Sequence, residues 1–335
     1  MYKIRLTPHA SRALPLKYFE KLINMNELHQ DDHFLLARKS QALQLRAKTI
    51  QSIRLFFINN DFLEVETPLR IPSPAPEEHI EALPSGNWFL QTSPELCMKR
   101  LVAMGYPRIF QISHCFRTGE RGNKHLPEFT MLEWYVSGFN YQRLMDQCQE
   151  MIREVAGDVG ITEITWQNEK INLDTPWERI TITDAFLRYA PLSLNEAMVQ
   201  NKFDETLVDY IEPKLGMKTP TFIYDYPAKL AALAKLKDDN PSVSERFELY
   251  IGGLEIANGF SELTNAYEQR QRFEEALKTR AATNLTCYEM PEKFLTSLET
   301  LPPCAGIALG IDRLIMIIAG AASIDDVVAF TPENL

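Results

Sequence analysis

The chain has 335 residues, 45% of them hydrophobic and 24% charged, a balance suited to a globular protein with one large core. Its net charge of −10 opposes sequence-independent nucleic-acid binding, which needs a cationic surface. The longest apolar run, residues 314–322, is broken by Gly320 and too short to cross a bilayer, and the N-terminal residues lack a secretory h-region, so a cytoplasmic location is expected.

In chain order, residues 1–32 read as an irregular leader with a short helix near 18–25. Residues 36–60 carry apolar positions at helical spacing up to Asn59 and Asn60. A β-type segment at 62–67 runs into Pro68 and a proline-rich loop. Residues 88–91 read as a strand and 95–104 as a helix. Residues 109–117 and 129–136 alternate as two strands joined by a long polar loop, which gives an antiparallel hairpin. A helix is expected at 141–155, a small hairpin at 161–173, and a capping-box spacing at Thr181–Asp184 before a helix at 185–189. Strands are expected at 221–226, 246–251 and 255–257, and helices at 266–282 and 292–299. A small-residue strand at 306–310 leads into an apolar helix at 312–319. The implied class is α+β, a mainly antiparallel sheet flanked by helices.

Cys97, Cys115, Cys148, Cys287 and Cys304 are odd in number and have no C-x-x-C spacing, so they read as reduced, mostly buried thiols. The six scattered histidines suggest no zinc site. One basic island stands out in this acidic chain: Lys99, Arg100, Arg108, Arg117, Arg121, Lys124 and His125 within residues 96–127. It points to a local polyanion, such as ATP phosphates, or to a solvated basic surface. Neither G-x-x-x-x-G-K-[ST] nor G-x-G-x-x-G occurs, so phosphates would be held otherwise. Arginines from separate elements can do this, because a guanidinium fork bonds two oxygens at once; Arg117, ending a strand, and Arg313, starting a helix, are the candidates.

Five segments then carry a resemblance. Residues 62–68 (FLEVETP) resemble motif 1 of the class II aminoacyl-tRNA synthetases, residues 116–135 motif 2, and residues 306–314 (GIALGIDRL) motif 3; residues 92–95 (TSPE) and 255–263 (EIANGFSEL) match the lysyl branch. The order is that of the family. The resemblance implies a class II catalytic domain over residues 36–335, preceded by the leader 1–35, and a homodimer through motif 1.

It also implies a site. Arg117 would hold the α-phosphate of ATP and Arg313 the γ-phosphate end, with Phe129 stacked on adenine and Arg313 on its other face. Thr118, Gly119, Leu126, Ile256 and Gly310 would complete the ATP site, and Glu255 with Glu262 would organise Mg2+. Glu95, with Glu133, would bind the backbone-side amine of lysine, and Tyr135 and Glu262 its ε-ammonium. Ser93, Pro94, Ala257 and Asn258 would complete the substrate side. A dibasic substrate needs two acidic poles, and buried carboxylates are costly without a cation.

Two positions depart from the motif 2 pattern: Gly119 stands where an acidic residue is usual, followed by Glu120, and Leu126 replaces the usual asparagine. Fewer than forty residues precede the catalytic part, too few for the anticodon-reading OB-fold of a lysyl synthetase. Ala257 stands where the synthetases have glycine. Together these imply the truncated branch of the family, which activates (R)-β-lysine, or lysine, and passes it to a lysine side chain of elongation factor P rather than to tRNA. A stand-alone lysine-activating enzyme with tRNA or another protein as acceptor, and a non-catalytic synthetase-like subunit, are the alternatives.

Overall fold

A computed structural model describes residues 30–335, with side chains from residue 36 onward; most of the expected leader and its short helix fall outside the described residues. The chain divides into two compact units, residues 1–41 and 42–335, and the architecture below is that of the second. The helices are α1 (Gln30–Asn59), α2 (Glu95–Ala103), α3 (Tyr141–Asp158), α4 (Ile182–Tyr189), α5 (Leu194–Val199), α6 (Phe203–Thr206), α7 (Ala266–Ala282), α8 (Glu292–Ser297) and α9 (Ile311–Ile318). The strands are β1 (Leu63–Glu64), β2 (Arg70–Ile71), β3 (Pro84–Ser85), β4 (Trp88–Leu90), β5 (Arg108–Phe116), β6 (Glu128–Ser137), β7 (Glu163–Trp166), β8 (Glu169–Asn172), β9 (Glu178–Thr181), β10 (Thr221–Pro227), β11 (Val243–Ile251), β12 (Leu254–Ser261) and β13 (Cys304–Gly310).

Eight strands form one sheet in the order β1-β5-β6-β13-β12-β11-β10-β9. The six central strands pair antiparallel, and the edge strands β1 and β9 pair parallel to β5 and β10. Alternation along β6 sorts its side chains to two faces. Leu132, Trp134 and Val136 pack with Phe56 and Phe57 of α1, Leu144 and Cys148 of α3, and Leu314 and Ile315 of α9 in the main core. Tyr135 faces the other way, toward Met98 and Val102 of α2, Phe273 of α7 and Phe294 of α8. A satellite core forms around Phe186, Phe203 and Tyr226.

Several expectations need adjusting. The segment at 62–67 shrinks to β1, a two-residue parallel edge. The helix after Thr181 starts at Ile182, with Thr181 accepting from the Asp184 amide at 3.1 Å; the complete capping box is at Ser193 and Glu196 of α5. β12 is longer than expected, because Asn258-Gly259 continues the strand instead of turning. A Cβ at Gly259 would come within 2.7 Å of the Phe247 ring and 2.9 Å of Ile307, so glycine here serves sheet packing. The five cysteines are unpaired, and Cys115, Cys148 and Cys304 are buried. Among the described residues no helix is long and apolar enough to cross a membrane.

Candidate active site

A cleft of roughly 440 Å³ lies over β6, β12 and β13, on the α2 side of the sheet. Its walls come from the β2–β3 loop, the β5–β6 loop and the starts of α2 and α9. One end is acidic and the other carries the arginines.

At the acidic end, Glu95 opens α2 and Glu133 and Tyr135 rise from β6. Ser93 Oγ donates to Glu133 Oε1 at 2.6 Å and the Tyr135 hydroxyl to Oε2 at 2.9 Å. Ser93 Oγ also accepts from the Glu95 amide at 3.0 Å. Lys99, one turn on from Glu95, is 1% exposed and ion-pairs with Glu95 at 2.5 Å and with Glu262. Burial pulls the Lys99 ammonium down, but Glu262 and Glu95 outweigh it, and Lys99 stays cationic. One lysine does not neutralise three carboxylates. Burial, reinforced by the Glu95 charge, pushes Glu133 up to about 8. Burial also takes Glu262 to about 8, with Lys99 opposing and Glu95 adding to the rise. Burial therefore makes ionisation costly at this end, a cost that an entering cation would offset.

At the other end, Arg313 sits in the first turn of α9. Its Nη1 donates to the Glu255 carbonyl at 3.0 Å and approaches the Glu255 carboxylate at 3.4 Å; its Nε donates to the Lys124 carbonyl at 3.2 Å, and Nη2 meets His125 Nε2 at 2.5 Å. Its neighbour Asp312 ties the helix to the sheet, pairing with Arg46 and accepting from the Thr130 amide at 2.6 Å. Arg117 lies 5.1 Å over the Phe129 ring and 3.5 Å from Glu120, and its buried Nε has no partner among the described residues. One face of Phe129 is thus covered by Arg117.

The expected pairing of Glu255 with Glu262 is corrected by the strand geometry. Seven residues of extended chain separate them, roughly 23 Å at ~3.3 Å per residue, and Glu262 turns to Lys99 beneath Gly306. The carboxylate beside Glu255 is Glu248, which sequence reasoning missed. β11 pairs Glu248 with Asn258, then Leu249 with Ala257 and Tyr250 with Glu255, leaving Ile256 as an extra residue. This bulge shifts the face by one, so Glu255 joins Glu248 and Asn258 instead of opposing them. Glu248 accepts from Arg246 at 2.8 Å, from Asn258 at 3.2 Å and from the Tyr250 hydroxyl at 2.8 Å. Burial, then the Glu248 charge, pushes Glu255 up to about 7.

Of the other expected residues, Ser93, Leu126, Ile256, Ala257, Asn258 and Gly310 line the cleft. Thr118, Gly119, Pro94 and Glu262 are not among its described lining residues. Pro94 caps α2, and the Thr118 amide donates to the Glu81 carbonyl at 2.8 Å. Gly119 has φ +81, a left-handed turn that glycine tolerates, and Glu120 lies at the cleft beside Arg117. The basic island dissolves in three dimensions. Lys99 is buried among carboxylates, Arg108 bonds the Asn60 carbonyl, and Arg121 pairs with Asp325 and Glu333, each at 2.8 Å. Only Arg117, Lys124 and His125 of the seven line the cleft.

Comparison with known proteins shows the family of the chain. The family model for tRNA synthetases class II (D, K and N) matches residues 27–334. The chain is 38% identical over 302 residues to the elongation factor P–(R)-beta-lysine ligase of Proteus mirabilis (strain HI4320), covering 85% of this chain and 93% of that protein. It is 36% identical over 310 residues to the ligase of the same name from Hamiltonella defensa, covering 86% and 94%. To the lysine–tRNA ligase of Psychrobacter arcticus it is 34% identical over 361 residues, covering 98% of this chain and 70% of that protein.

Proposed function

The chain belongs to the class II tRNA synthetases (D, K and N), and on that premise we propose that it activates (R)-β-lysine with ATP as an acyl-adenylate and transfers the acyl group to a lysine side chain of elongation factor P. The observation that carries this reading is the polarity of one cleft: carboxylates and a tyrosine at one end, arginines from two separate elements at the other. A diamino acid lying along it presents its far ammonium to Glu133 and Tyr135. Its carboxylate then lies toward Arg117.

A carboxylate oxygen attacks the α-phosphorus, the bond to the bridging oxygen breaks, and pyrophosphate leaves. The acceptor amine then attacks the acyl carbon and AMP leaves. No protein nucleophile takes part; the protein positions the reactants and stabilises charge. Arg117 would hold the α-phosphate and Arg313 the departing end, both arginines lining the cleft. The donor set fits magnesium: Glu255 faces the cleft beside Glu248, its raised affinity for a proton marks a place where a cation is favoured, and a buried Asn258 oxygen has no partner among the described residues. Such an ion, held by one or two carboxylates and by phosphate oxygens, would neutralise phosphate charge. Residues 36–335 are proposed as the catalytic domain. Leu55, Ile58 and Leu63 are about half exposed (55%, 54% and 48%) near the motif 1 segment, in keeping with a homodimer.

Ala257 is 2% exposed and belongs to the main core; paired with Leu249 and Leu309, its side chain lies on the face opposite Asn258, so it borders the cleft through its backbone. The preference for the β-isomer rests on the likeness to the two (R)-beta-lysine ligases.

Binding should release protons. A cationic amine favours ionised Glu133, which holds a proton up to about pH 8 in the empty cleft. The bound state then carries fewer protons, so affinity rises from pH 6 to pH 8 and levels above. Calorimetry in buffers of different ionisation enthalpy should show about one proton leaving per substrate at pH 7; zero release would remove this account of the pocket.

The decisive experiment is mass spectrometry of elongation factor P after incubation with enzyme, ATP and each lysine isomer. A mass gain on one lysine, with (R)-β-lysine preferred, is expected. Charging of lysyl-accepting tRNA with no gain on the protein would move the acceptor to tRNA.

A further inference from the structure

The β2–β3 loop has a fixed backbone and one uncommitted carboxylate. Arg280 of α7 is 0% exposed and holds the loop from beneath. Its Nη1 donates to the carbonyls of Glu77 and Ile80, each at 2.6 Å, its Nη2 pairs with the Glu81 carboxylate, and its Nε donates to the Thr286 carbonyl at 2.7 Å. The Tyr288 ring lies 4.3 Å from the Arg280 guanidinium, and its hydroxyl accepts from the Ala82 amide at 2.9 Å. Pro74 and Pro76 further restrict the segment. The loop is thus anchored through its main chain and through Glu81, while the Glu77 side chain stands in the cleft wall. Among the described residues no hydrogen bond or ion pair engages its carboxylate.

Glu77 lines the same cleft as Glu95, Arg117 and Arg246. Burial, then the Glu95 charge, pushes it up to about 7, with Arg117, Arg246 and Lys99 opposing. It is therefore within electrostatic reach of both the acidic end and the phosphate-facing arginine. In a diamino acid placed as above, the ammonium nearer the reacting carboxylate lies between those two. Glu95 alone is a weak partner there, because Lys99 already neutralises it.

We propose that Glu77 is a specificity-determining residue that receives the ammonium next to the reacting carboxylate and reads whether that group is on the second or the third carbon. The inference rests on the diamino-acid reading of the cleft. Moving the amine along the chain by one carbon displaces it by about 1.5 Å. A carboxylate on a pinned loop cannot follow such a shift as a flexible one would.

The test is ATP–pyrophosphate exchange by the full chain and its Glu77→Gln and Glu77→Asp variants, with (R)-β-lysine and with α-lysine. A hydrogen bond to a charged group contributes about 1.5–3 kcal/mol. Glu77→Gln should accordingly raise KM for (R)-β-lysine by about 10-fold or more, leave KM for ATP unchanged, change kcat by less than about threefold, and narrow the preference between isomers. Glu77→Asp keeps the charge on a shorter arm and should retain a measurable share of the affinity while altering the preference. A KM for (R)-β-lysine unchanged in Glu77→Gln overturns the inference, as does an equal rise in KM for ATP, the mark of a displaced loop. Wild-type enzyme with no exchange on either isomer overturns the functional reading and this inference together. Normal wild-type exchange with an indifferent Glu77→Gln overturns the inference alone.

Discussion

Replacing Arg313 by alanine should reduce lysine-dependent ATP–pyrophosphate exchange by at least about 10²–10³-fold, the scale of losing a preorganised charge-stabilising donor, while barely moving the melting temperature. The structure separates the two effects. Arg313 is partly solvent-accessible at the cleft, and its bonds go to the Glu255 and Lys124 carbonyls, the Glu255 carboxylate and His125. The helix that carries it is held by other contacts, namely the Asp312 links to Arg46 and Thr130 and seven buried residues of eight. Alanine should also leave Glu255 without its nearest cation, raising its proton affinity further and weakening any metal held there. Lysine at 313 keeps the charge without the planar fork, so partial activity is expected from Arg313→Lys. Exchange by Arg313→Ala within threefold of wild type would remove Arg313 from the chemistry.

The largest stability effect is expected from Lys99→Met. Lys99 is a buried cation between two carboxylates and lies 5.0 Å from the Phe260 ring. Removing one partner of a buried ion pair costs about 3–5 kcal/mol because the other charge is left uncompensated. Here the cost should depend on pH, and its sign follows from the carboxylates. Glu262 lies at about 8 even with Lys99 present, and without the cation its proton affinity rises further. At pH 6 Glu262 can neutralise itself, whereas at higher pH ionising it in place becomes more expensive. The melting temperature of Lys99→Met should therefore fall further below wild type at pH 8 than at pH 6. The double variant Lys99→Met/Glu262→Gln should recover part of the loss, since it removes the stranded charge as well. Equal melting temperatures for Lys99→Met and wild type at pH 8 would show that the triad contributes nothing net.

Much of this was legible in the sequence because the pattern was local. Alternation along residues 128–137 separates Trp134 from Glu133 and Tyr135 and so names the two faces of β6. The helices α2, α3, α7 and α9 lie within a few residues of their expected bounds, since caps and apolar spacing are short-range signals. Glu95, Glu133, Tyr135, Arg117 and Arg313 line one cleft. What was not legible depends on pairing between distant segments. Lys99 looked like one member of a basic run and is the counter-ion of the acidic end, because one turn of α2 and the end of β12 meet there. Glu77 sits in a loop with no motif, and only the Arg280 anchor, some 200 positions away, puts it at the cleft. Glu248 was passed over because its relation to Glu255 runs through strand register.

That register carries a consequence of its own. The face on which Glu255 stands is decided by the bulge at Ile256, not by strict alternation from Asn258. Deleting Ile256 would remove the extra residue and leave Glu255 opposite Tyr250, on the same face as before, whereas a strand that kept every residue and lost the bulge would turn the Glu255 carboxylate to the other face. Aligned sequences can therefore agree at every position of this segment and still build different sites, if one of them pairs the strand without the bulge.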